Sequence, residues 1–203
     1  MVSTHRAKPC ASLATVRLVL ASTSSARRAL LDALGIAYTA EDPGVDEDVP
    51  AGTPVESAVR MLALRKARAV AARHPQALVL GADQLAEVDG RILGKPDSRD
   101  SARAQLSSLL GRNHRLLTAV ALVGGGDEHL ELDVVTLRFH PVSAEELERY
   151  LDTGEWQGCA GAYRIEGRGQ ALVDALEGDR TSVQGLPMLP VVRMLRTRGF
   201  PLL

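Results

Sequence analysis

Asp83 is the residue whose surroundings make it the first candidate for chemistry. It lies in the segment GADQ at 81–84, inside an apolar stretch that predicts a β-strand over 77–88. A carboxylate in an apolar strand is costly to bury unless a cation or a metal ion compensates its charge. We therefore interpret Asp83 as a functional acid, with a satisfied structural role as the alternative.

A second candidate is the turn at 22–25, which is rich in Ser and Thr. It precedes a predicted helix over 26–34, and Ser24 or Ser25 is suited to be its N-cap. The free N–H groups at the start of a helix favour anions, and Arg27 and Arg28 add positive charge beside them. The pattern is typical of a phosphate site, although a well-capped helix with two solvated arginines explains it equally well.

Other charged residues are less informative by themselves. The acidic run at 46–48 lies on a predicted loop over 42–54 and is either a solvated surface or a source of oxygen ligands for Mg²⁺. Lys66 lies near the apolar stripe of a predicted helix over 55–73, where a lysine usually extends its stem along apolar surface. Lys95 follows a predicted hairpin and indicates nothing alone.

Composition and missing motifs exclude several classes of protein. The 24 Lys and Arg nearly balance the 25 Asp and Glu, so no global field attracts nucleic acid or an anionic membrane. No apolar run approaches the ~20 residues of a membrane span. The five histidines lack ligand spacing, which favours an oxygen-bound metal over zinc. Phosphate-loop, dinucleotide-binding and GxSxG motifs are absent. Cys10 and Cys159 are far apart, which indicates reduced thiols and a cytoplasmic protein.

The elements predict an α/β domain over 16–203, preceded by a flexible extension over 1–15. Strand–helix alternation occurs together with hairpins, which indicates a mixed sheet. Asp89-Gly90 predicts a tight hairpin turn, and Ser143 with Glu146 predicts a capping box. The glycine-rich segment 155–185 is predicted to be irregular. Further strands are predicted over 16–22, 37–40, 91–93, 116–123 and 130–139, and further helices over 100–110, 143–151 and 191–198.

Nine short segments together resemble the motifs of the Maf-like family. Each is weak alone, but all nine follow the family's order over nearly the whole chain, so chance is an implausible explanation. The segments are LASTSSARRALL (20–31), VDED (45–48), LALRKA (62–67), GADQ (81–84), LGKP (93–96), SLLGRNHRLLTAVAL (108–122), CAGAYRIEG (159–167), LEGD (176–179) and GLPM (185–188).

The resemblance implies a fold, a reaction and a set of site residues. The implied fold is an elongated, twisted mixed sheet with flanking helices in two lobes around a cleft, shared with inosine-triphosphate pyrophosphatases. The implied reaction cuts a nucleoside triphosphate into its monophosphate and pyrophosphate with Mg²⁺ or Mn²⁺, and many members are homodimers. By motif position, the triphosphate-binding residues would be Ser22, Arg27, Lys66 and Lys95. Glu47 and Asp83 would bind the metal, and Asp83 would also be the general base.

Three positions bear on which nucleobase of the substrate the protein recognises. One branch of the family, which resembles dTTP/UTP pyrophosphatases, carries Arg, Thr and Gln where this chain has Ala26, Gln84 and Glu166. Gln84 and Glu166 instead resemble the branch of 7-methyl-GTP pyrophosphatases. A carboxylate accepts hydrogen bonds from both N–H groups of guanine, and N7-methylation adds positive charge that favours it further. Ala26 fits neither branch.

Two alternatives remain open from the sequence. The first is the same reaction on dTTP or UTP. The second is a nucleotide-binding regulator of cell division with little catalysis. All six residues assigned to the triphosphate and the metal are present, which argues against an inactive enzyme. A nucleotide is the expected partner in each case, and neither a membrane nor a nucleic acid is expected.

Overall fold

Seven strands form one mixed sheet at the centre of the protein. The computed structural model describes residues 16–203, so the extension predicted over 1–15 lies outside the described residues. The strands are β1 (Leu18–Ala21), β2 (Tyr38–Glu41), β3 (Leu78–Val88), β4 (Arg91–Leu93), β5 (Asn113–Gly124), β6 (Asp127–Phe139) and β7 (Val173–Glu177). Their order is β2-β1-β3-β5-β6-β7, with β4 paired to the end of β3.

Both strand directions occur in this sheet. Strand β1 is parallel to β2 and β3, whereas β3–β4, β3–β5, β5–β6 and β6–β7 are antiparallel pairs. In the described part of the chain six α-helices flank the sheet, and the predicted α/β class with a mixed sheet is confirmed. The helices are α1 (Ser25–Asp32), α2 (Val55–Ala71), α3 (Arg99–Leu109), α4 (Ala144–Leu151), α5 (Arg180–Val183) and α6 (Met188–Thr197). Within residues 16–203, no helix has the length and apolar character needed to cross a bilayer.

Helices cover both faces of the sheet at the end that contains β1. Side chains alternate along β1, so Val19 packs toward α2 and Leu20 packs toward α6. Strands buried on both faces consist of continuous apolar residues, which explains why this run shows no polar alternation. A separate apolar core lies at the other end of β3, where Val88 packs with residues of α3 and α4. The two ends of the sheet therefore form two lobes.

The hairpin turn after β3 and the cap at the start of α4 have the geometry that the sequence predicts. Asp89 and Gly90 both have positive φ, 50° and 75°, as a two-residue hairpin with a type I′ turn requires. Glu146 N donates to Ser143 Oγ over 3.2 Å, and Ser143 N donates to Glu146 Oε2 over 2.9 Å. The predicted turn and the predicted capping box are both confirmed.

Several element predictions were wrong in extent or in kind. The segment 155–185 contains β7 and α5, and β7 was missed because most of its residues are exposed at the sheet edge. Strands β5 and β6 extend to a two-residue turn at Gly125-Gly126. Helix α6 begins three residues before its predicted start. Pro190 obscures that start, although proline is tolerated in the first turn of a helix, where the N–H groups have no intrahelical partner.

His114 is a buried titratable residue on β5. Its Nε2 lies 2.9 Å from the Tyr163 hydroxyl, and its ring packs edge-on against Phe139 and Tyr163. Only 2 % of His114 is exposed. Burial lowers the pKa of His114 from 6.5 to about 4, so the imidazole is neutral at pH 7.

This buried histidine predicts a loss of stability in acid. Between pH 6.5 and 4 the unfolded chain binds a proton that the folded chain does not, so stability falls as the pH is lowered through this window. The full shift corresponds to about 3 kcal/mol of unfolding free energy. Urea unfolding at pH 7 and pH 4.5 measures it, with His114→Gln as the comparison. An equal loss in that variant would show that other groups cause it.

Candidate active site

The nine residues selected from the sequence all line one cleft. Its volume is about 860 Å³, and both lobes contribute to its walls. The residues come from the turn after β1, from α1, α2 and β3, from the loop before α2, from the turn after β4 and from the segment before β7. They are Ser22, Ala26, Arg27, Glu47, Lys66, Asp83, Gln84, Lys95 and Glu166. The fold therefore brings together residues that are up to 144 positions apart in the chain, from Ser22 to Glu166.

The turn after β1 places hydroxyl and N–H groups at one end of this cleft. Ser24 is the N-cap of α1, because its side chain accepts a hydrogen bond from Arg27 N. Ser22 is 5 % exposed, and its Oγ accepts from Ser24 N over 3.2 Å. The first N–H groups of α1 have no intrahelical acceptor and can bind an anion.

Arg27 joins this turn to the loop before α6. Its Nε donates to the Gly185 carbonyl over 2.8 Å, and its Nη1 donates to Ser22 Oγ over 3.2 Å. Burial lowers the pKa of the guanidinium, and the nearby carboxylates of Asp83 and Glu47 oppose that shift. Gly185 has φ 93°, and a Cβ there would lie 3.2 Å from Arg27 Nε. The glycine thus provides room for the arginine.

Lys66 lies between two carboxylates. Its Nζ is 2.5 Å from Asp83 Oδ1 and 2.6 Å from Glu47 Oε1. Lys66 is only 4 % exposed and Asp83 only 5 %. Lys66 does not end in solvent, as a lysine beside an apolar stripe usually does, because its ammonium lies inside the cleft wall on charged partners. Lys95 Nζ approaches Glu47 Oε2 at 3.4 Å.

The charges of this group favour an anionic ligand. Partial burial raises the pKa of Glu47, but the hydrogen bonds and charges of Lys66 and Lys95 outweigh it and hold that pKa below its ordinary value. At this end of the cleft three cations thus face two carboxylates, whereas over the whole lining, with Arg164, Asp42 and Glu166 added, four cations balance four carboxylates. A triphosphate carries several negative charges, so a further cation would be needed for full compensation.

The carboxylate oxygens of this cleft are suitable ligands for a hard divalent cation that is bound together with the substrate. Within residues 16–203, no three His, Cys, Asp or Glu side chains cluster as a metal site. However, Glu47 and Asp83 converge on one cation, the ammonium of Lys66. Mg²⁺ is commonly held by one or two carboxylates, with waters and substrate phosphates as the remaining ligands. The two carboxylates match that pattern.

Gln84 lies one residue beyond Asp83, and its amide is tied to the backbone of α5. Its Nε2 donates to the carbonyls of Ser182 and Val183 over 2.7 and 3.2 Å, and lies 3.0 Å from Thr118 Oγ1. Because a carbonyl oxygen only accepts hydrogen bonds, the NH₂ group of Gln84 must face the Ser182 and Val183 carbonyls. This leaves the Gln84 carbonyl oxygen without a donor among residues 16–203. Gln84 can therefore accept a hydrogen bond from a ligand.

Glu166 and Arg164 line the same cleft, on the segment that precedes β7. Arg164 Nε lies 3.7 Å from Glu166 Oε1, and both side chains are partly exposed. Arg164 was not selected from the sequence, although it lies in the segment CAGAYRIEG that contains Glu166. Because the positive charge of Arg164 opposes the negative charge of Glu166, Arg164 weakens the attraction of Glu166 for a positively charged nucleobase. Ala26, on α1, contributes only a methyl group.

Cys159 also lines this cleft without the features of a nucleophile. Its Sγ lies 3.5 Å from the Glu155 carbonyl, and burial raises the pKa of the thiol. The thiolate is the reactive form, so this thiol stays protonated and weakly reactive at pH 7. The prediction that Cys159 is a packed, unreactive residue agrees with this environment. Cys10 lies outside the described residues.

The sequence profile of one protein family, described as Maf-like protein, matches residues 17–198. The chain belongs to the Maf-like family. A relative from Symbiobacterium thermophilum, named dTTP/UTP pyrophosphatase, is 46% identical over 187 residues, which cover 92% of this chain and 96% of the relative. A relative from Xanthomonas campestris pv. campestris, named 7-methyl-GTP pyrophosphatase, is 46% identical over 189 residues, which cover 92% and 98%.

A third comparison concerns the fold of this Maf-like protein. The Staphylococcus aureus Ham1 protein is similar in structure, with a TM-score of 0.44 and 18% identity over 62% of this chain and 72% of that protein. Relatives of equal identity carry both substrate names, so overall identity does not separate the two branches.

Proposed function

We propose that this Maf-like protein hydrolyses a nucleoside triphosphate to the monophosphate and pyrophosphate. The observation that carries the proposal is the buried contact of Lys66 with Asp83, inside a cleft that also contains Arg27 and Lys95. Such a cluster can bind a polyphosphate and keep a carboxylate beside it as a base. The names of the relatives, all pyrophosphatases, support the same reaction.

In this reaction Asp83 accepts the proton of the attacking water. Its Oδ1 accepts a hydrogen bond from Lys66, and no residue in 16–203 donates a hydrogen bond to Oδ2. The water oxygen forms a bond to the α-phosphorus, the bond from that phosphorus to the bridging oxygen breaks, and the proton moves to Asp83 Oδ2. Pyrophosphate leaves with the bridging oxygen.

Positive charge stabilises the oxygens that become more negative in this step. Arg27, Lys66 and Lys95 are the cations available from the chain, and the N–H groups at the start of α1 add partial charge. We propose that Mg²⁺ or Mn²⁺, held by Glu47 and Asp83 together with the substrate, supplies further charge neutralisation. Metal dependence is accordingly part of the test.

We further propose 7-methyl-GTP as the preferred substrate. Glu166 and the Gln84 carbonyl are two acceptors in the same cleft, and guanine presents N1–H and N2–H₂ donors on one edge. The positive charge of the methylated ring favours the carboxylate. The second candidate is dTTP or UTP, which is favoured by the 46% identical relative of that name.

Pyrophosphate release from a panel of nucleotides tests both parts. The panel is 7-methyl-GTP, GTP, UTP, dTTP and CTP, each with Mg²⁺, with Mn²⁺ and with EDTA. Preference for 7-methyl-GTP supports the full proposal, whereas preference for UTP or dTTP keeps the reaction and contradicts the base assignment. Pyrophosphate release in the presence of EDTA contradicts the proposed requirement for a divalent cation. No release from any nucleotide would favour the nucleotide-binding regulator instead.

The Glu166→Gln variant tests the base assignment directly. It removes the carboxylate but keeps the shape, and it introduces the residue of the dTTP/UTP branch. Because a hydrogen bond to a charged group is worth about 1.5–3 kcal/mol, kcat/KM for 7-methyl-GTP is expected to fall at least about 10-fold. The value for UTP is expected to stay within about threefold or to rise. Glu177→Gln, at an exposed position on β7, is the control. Equal losses on both substrates would contradict the assignment.

A further inference from the structure

The loop between β2 and α2 carries Glu47 without any regular structure of its own. It spans residues 42–54 and is mostly exposed. Its internal contacts are short-range turns, in which Asp46 Oδ1 accepts from Asp48 N over 2.8 Å. A loop of this kind does not by itself fix the backbone on both sides of a ligand-binding side chain. Another element must hold Glu47 in place.

Arg65 on α2 makes the contacts that do so. Its Nη1 donates to the Asp46 carbonyl over 2.6 Å and to the Asp48 carbonyl over 3.1 Å. These carbonyls belong to the two residues that flank Glu47. One nitrogen on a helix thus holds the carbonyl groups of the residues before and after Glu47, which restricts the backbone freedom of Glu47 itself.

The next residue of α2 holds the other end of Glu47. Lys66 Nζ contacts Glu47 Oε1 at 2.6 Å, so consecutive residues hold the backbone and the carboxylate. The Lys66–Glu47 contact and the Arg65 contacts differ in whether bound ligands compete with them. Phosphate oxygens and a divalent cation compete with the Lys66–Glu47 pair, because they bind those same groups. They do not compete for the carbonyls that Arg65 binds.

We propose that Arg65 is a positioning residue, which keeps Glu47 at the site when ligands separate it from Lys66. The role rests on the proposed function, because Glu47 binds the divalent cation only in that reaction. Arg65 touches neither the nucleotide nor the cation in this role. Its effect is transmitted through the backbone of the loop.

Hydrogen exchange on the free protein provides the first measurement. Arg65→Ala is expected to raise amide exchange in a peptide covering 42–54 by about 10-fold, since two charge-assisted hydrogen bonds are lost. Arg65→Lys is expected to restore part of the protection. Arg60→Ala is the matched control, because Arg60 lies on the same helix, is exposed and forms no ion pair within residues 16–203. Unchanged exchange in Arg65→Ala would overturn the proposal.

Calorimetric binding of Mn²⁺ provides the second measurement, with an α,β-imido nucleotide present to prevent turnover. Loss of a residue that orients a metal ligand costs about 10–100-fold in metal affinity, so the Kd of Mn²⁺ is expected to rise about 10-fold in Arg65→Ala. At saturating Mn²⁺, kcat is expected to stay within about threefold of the wild type.

The outcomes separate this inference from the proposed function. Faster exchange with an unchanged Kd of Mn²⁺ means that Arg65 stabilises the loop only, which overturns the positioning role. A wild-type protein that neither binds Mn²⁺ nor releases pyrophosphate contradicts the proposed function and with it the role of Glu47. The exchange measurement still shows in that case whether Arg65 holds the loop.

Discussion

Replacing Asp83 with Asn is expected to lower kcat for pyrophosphate release by about 10³-fold. Loss of a positioned general base costs about 10²–10⁴-fold, and the Asn amide cannot accept the proton of water at neutral pH. Its carbonyl can still accept from Lys66, so the buried contact of 2.5 Å has a substitute and the fold is expected to survive. Steady-state release and binding of an α,β-imido nucleotide measure the two effects separately.

The control for this variant is Asp46→Asn. Asp46 belongs to the same acidic run as Glu47, but it is exposed, and within residues 16–203 its carboxylate accepts a hydrogen bond only from the Asp48 N–H of its own loop. Its kcat is expected to stay within about twofold of the wild type. Turnover near the wild-type level in Asp83→Asn would show that another group activates the water. Loss of nucleotide binding together with turnover would show that Asp83 acts in binding.

The second large effect is expected from Gly81→Ala. A Cβ at this position would lie 2.5 Å from the Ala63 carbonyl oxygen and 2.7 Å from Ala67 N, both on the backbone of α2. Backbone cannot rotate away as a side chain can, so the helix must move. Overpacking of a core costs about 1–3 kcal/mol and sometimes more, and we expect about 3 kcal/mol of unfolding free energy.

The same displacement is expected to reduce activity. Lys66 precedes Ala67 on α2, and Asp83 follows Gly81 by two residues on β3, so the close approach of helix and strand sets the distance of 2.5 Å between their charged atoms. Urea unfolding and pyrophosphate release measure the two effects. Gly94→Ala is the stability control, because no atom of the described residues 16–203 lies within 4 Å of a Cβ there. Equal unfolding free energies for the two variants would contradict the packing argument.

Elements with a local chemical cause were predictable from the sequence. The hairpin turn at Asp89-Gly90 requires positive φ, which glycine and aspartate tolerate, and the Ser143 cap requires only an acceptor three residues before an N–H. Strand β7 has no such cause. It forms because β6 offers an unpaired edge, and that edge exists only after the sheet has assembled.

The features of the candidate site also fall into those that the sequence indicated and those that only the fold explains. The sequence by itself determined the family and indicated Asp83, because a carboxylate in an apolar strand conflicts with its surroundings in any fold. It also supplied the glycines at 81 and 185, but not the reason for them. That reason is close packing, against the backbone of α2 in one case and against Arg27 in the other.

Only the tertiary structure decided how the charged residues pair. Lys66 is 17 residues from Asp83, and Arg27 is 158 residues from Gly185, so neither contact follows from a helical or strand period. A lysine beside an apolar stripe has the same local pattern whether it ends in water or between two carboxylates. Where the Lys66 ammonium ends depends on how the loop that carries Glu47 packs against α2. The hydrogen bonds of Arg65 hold that loop against α2, and they are themselves tertiary contacts.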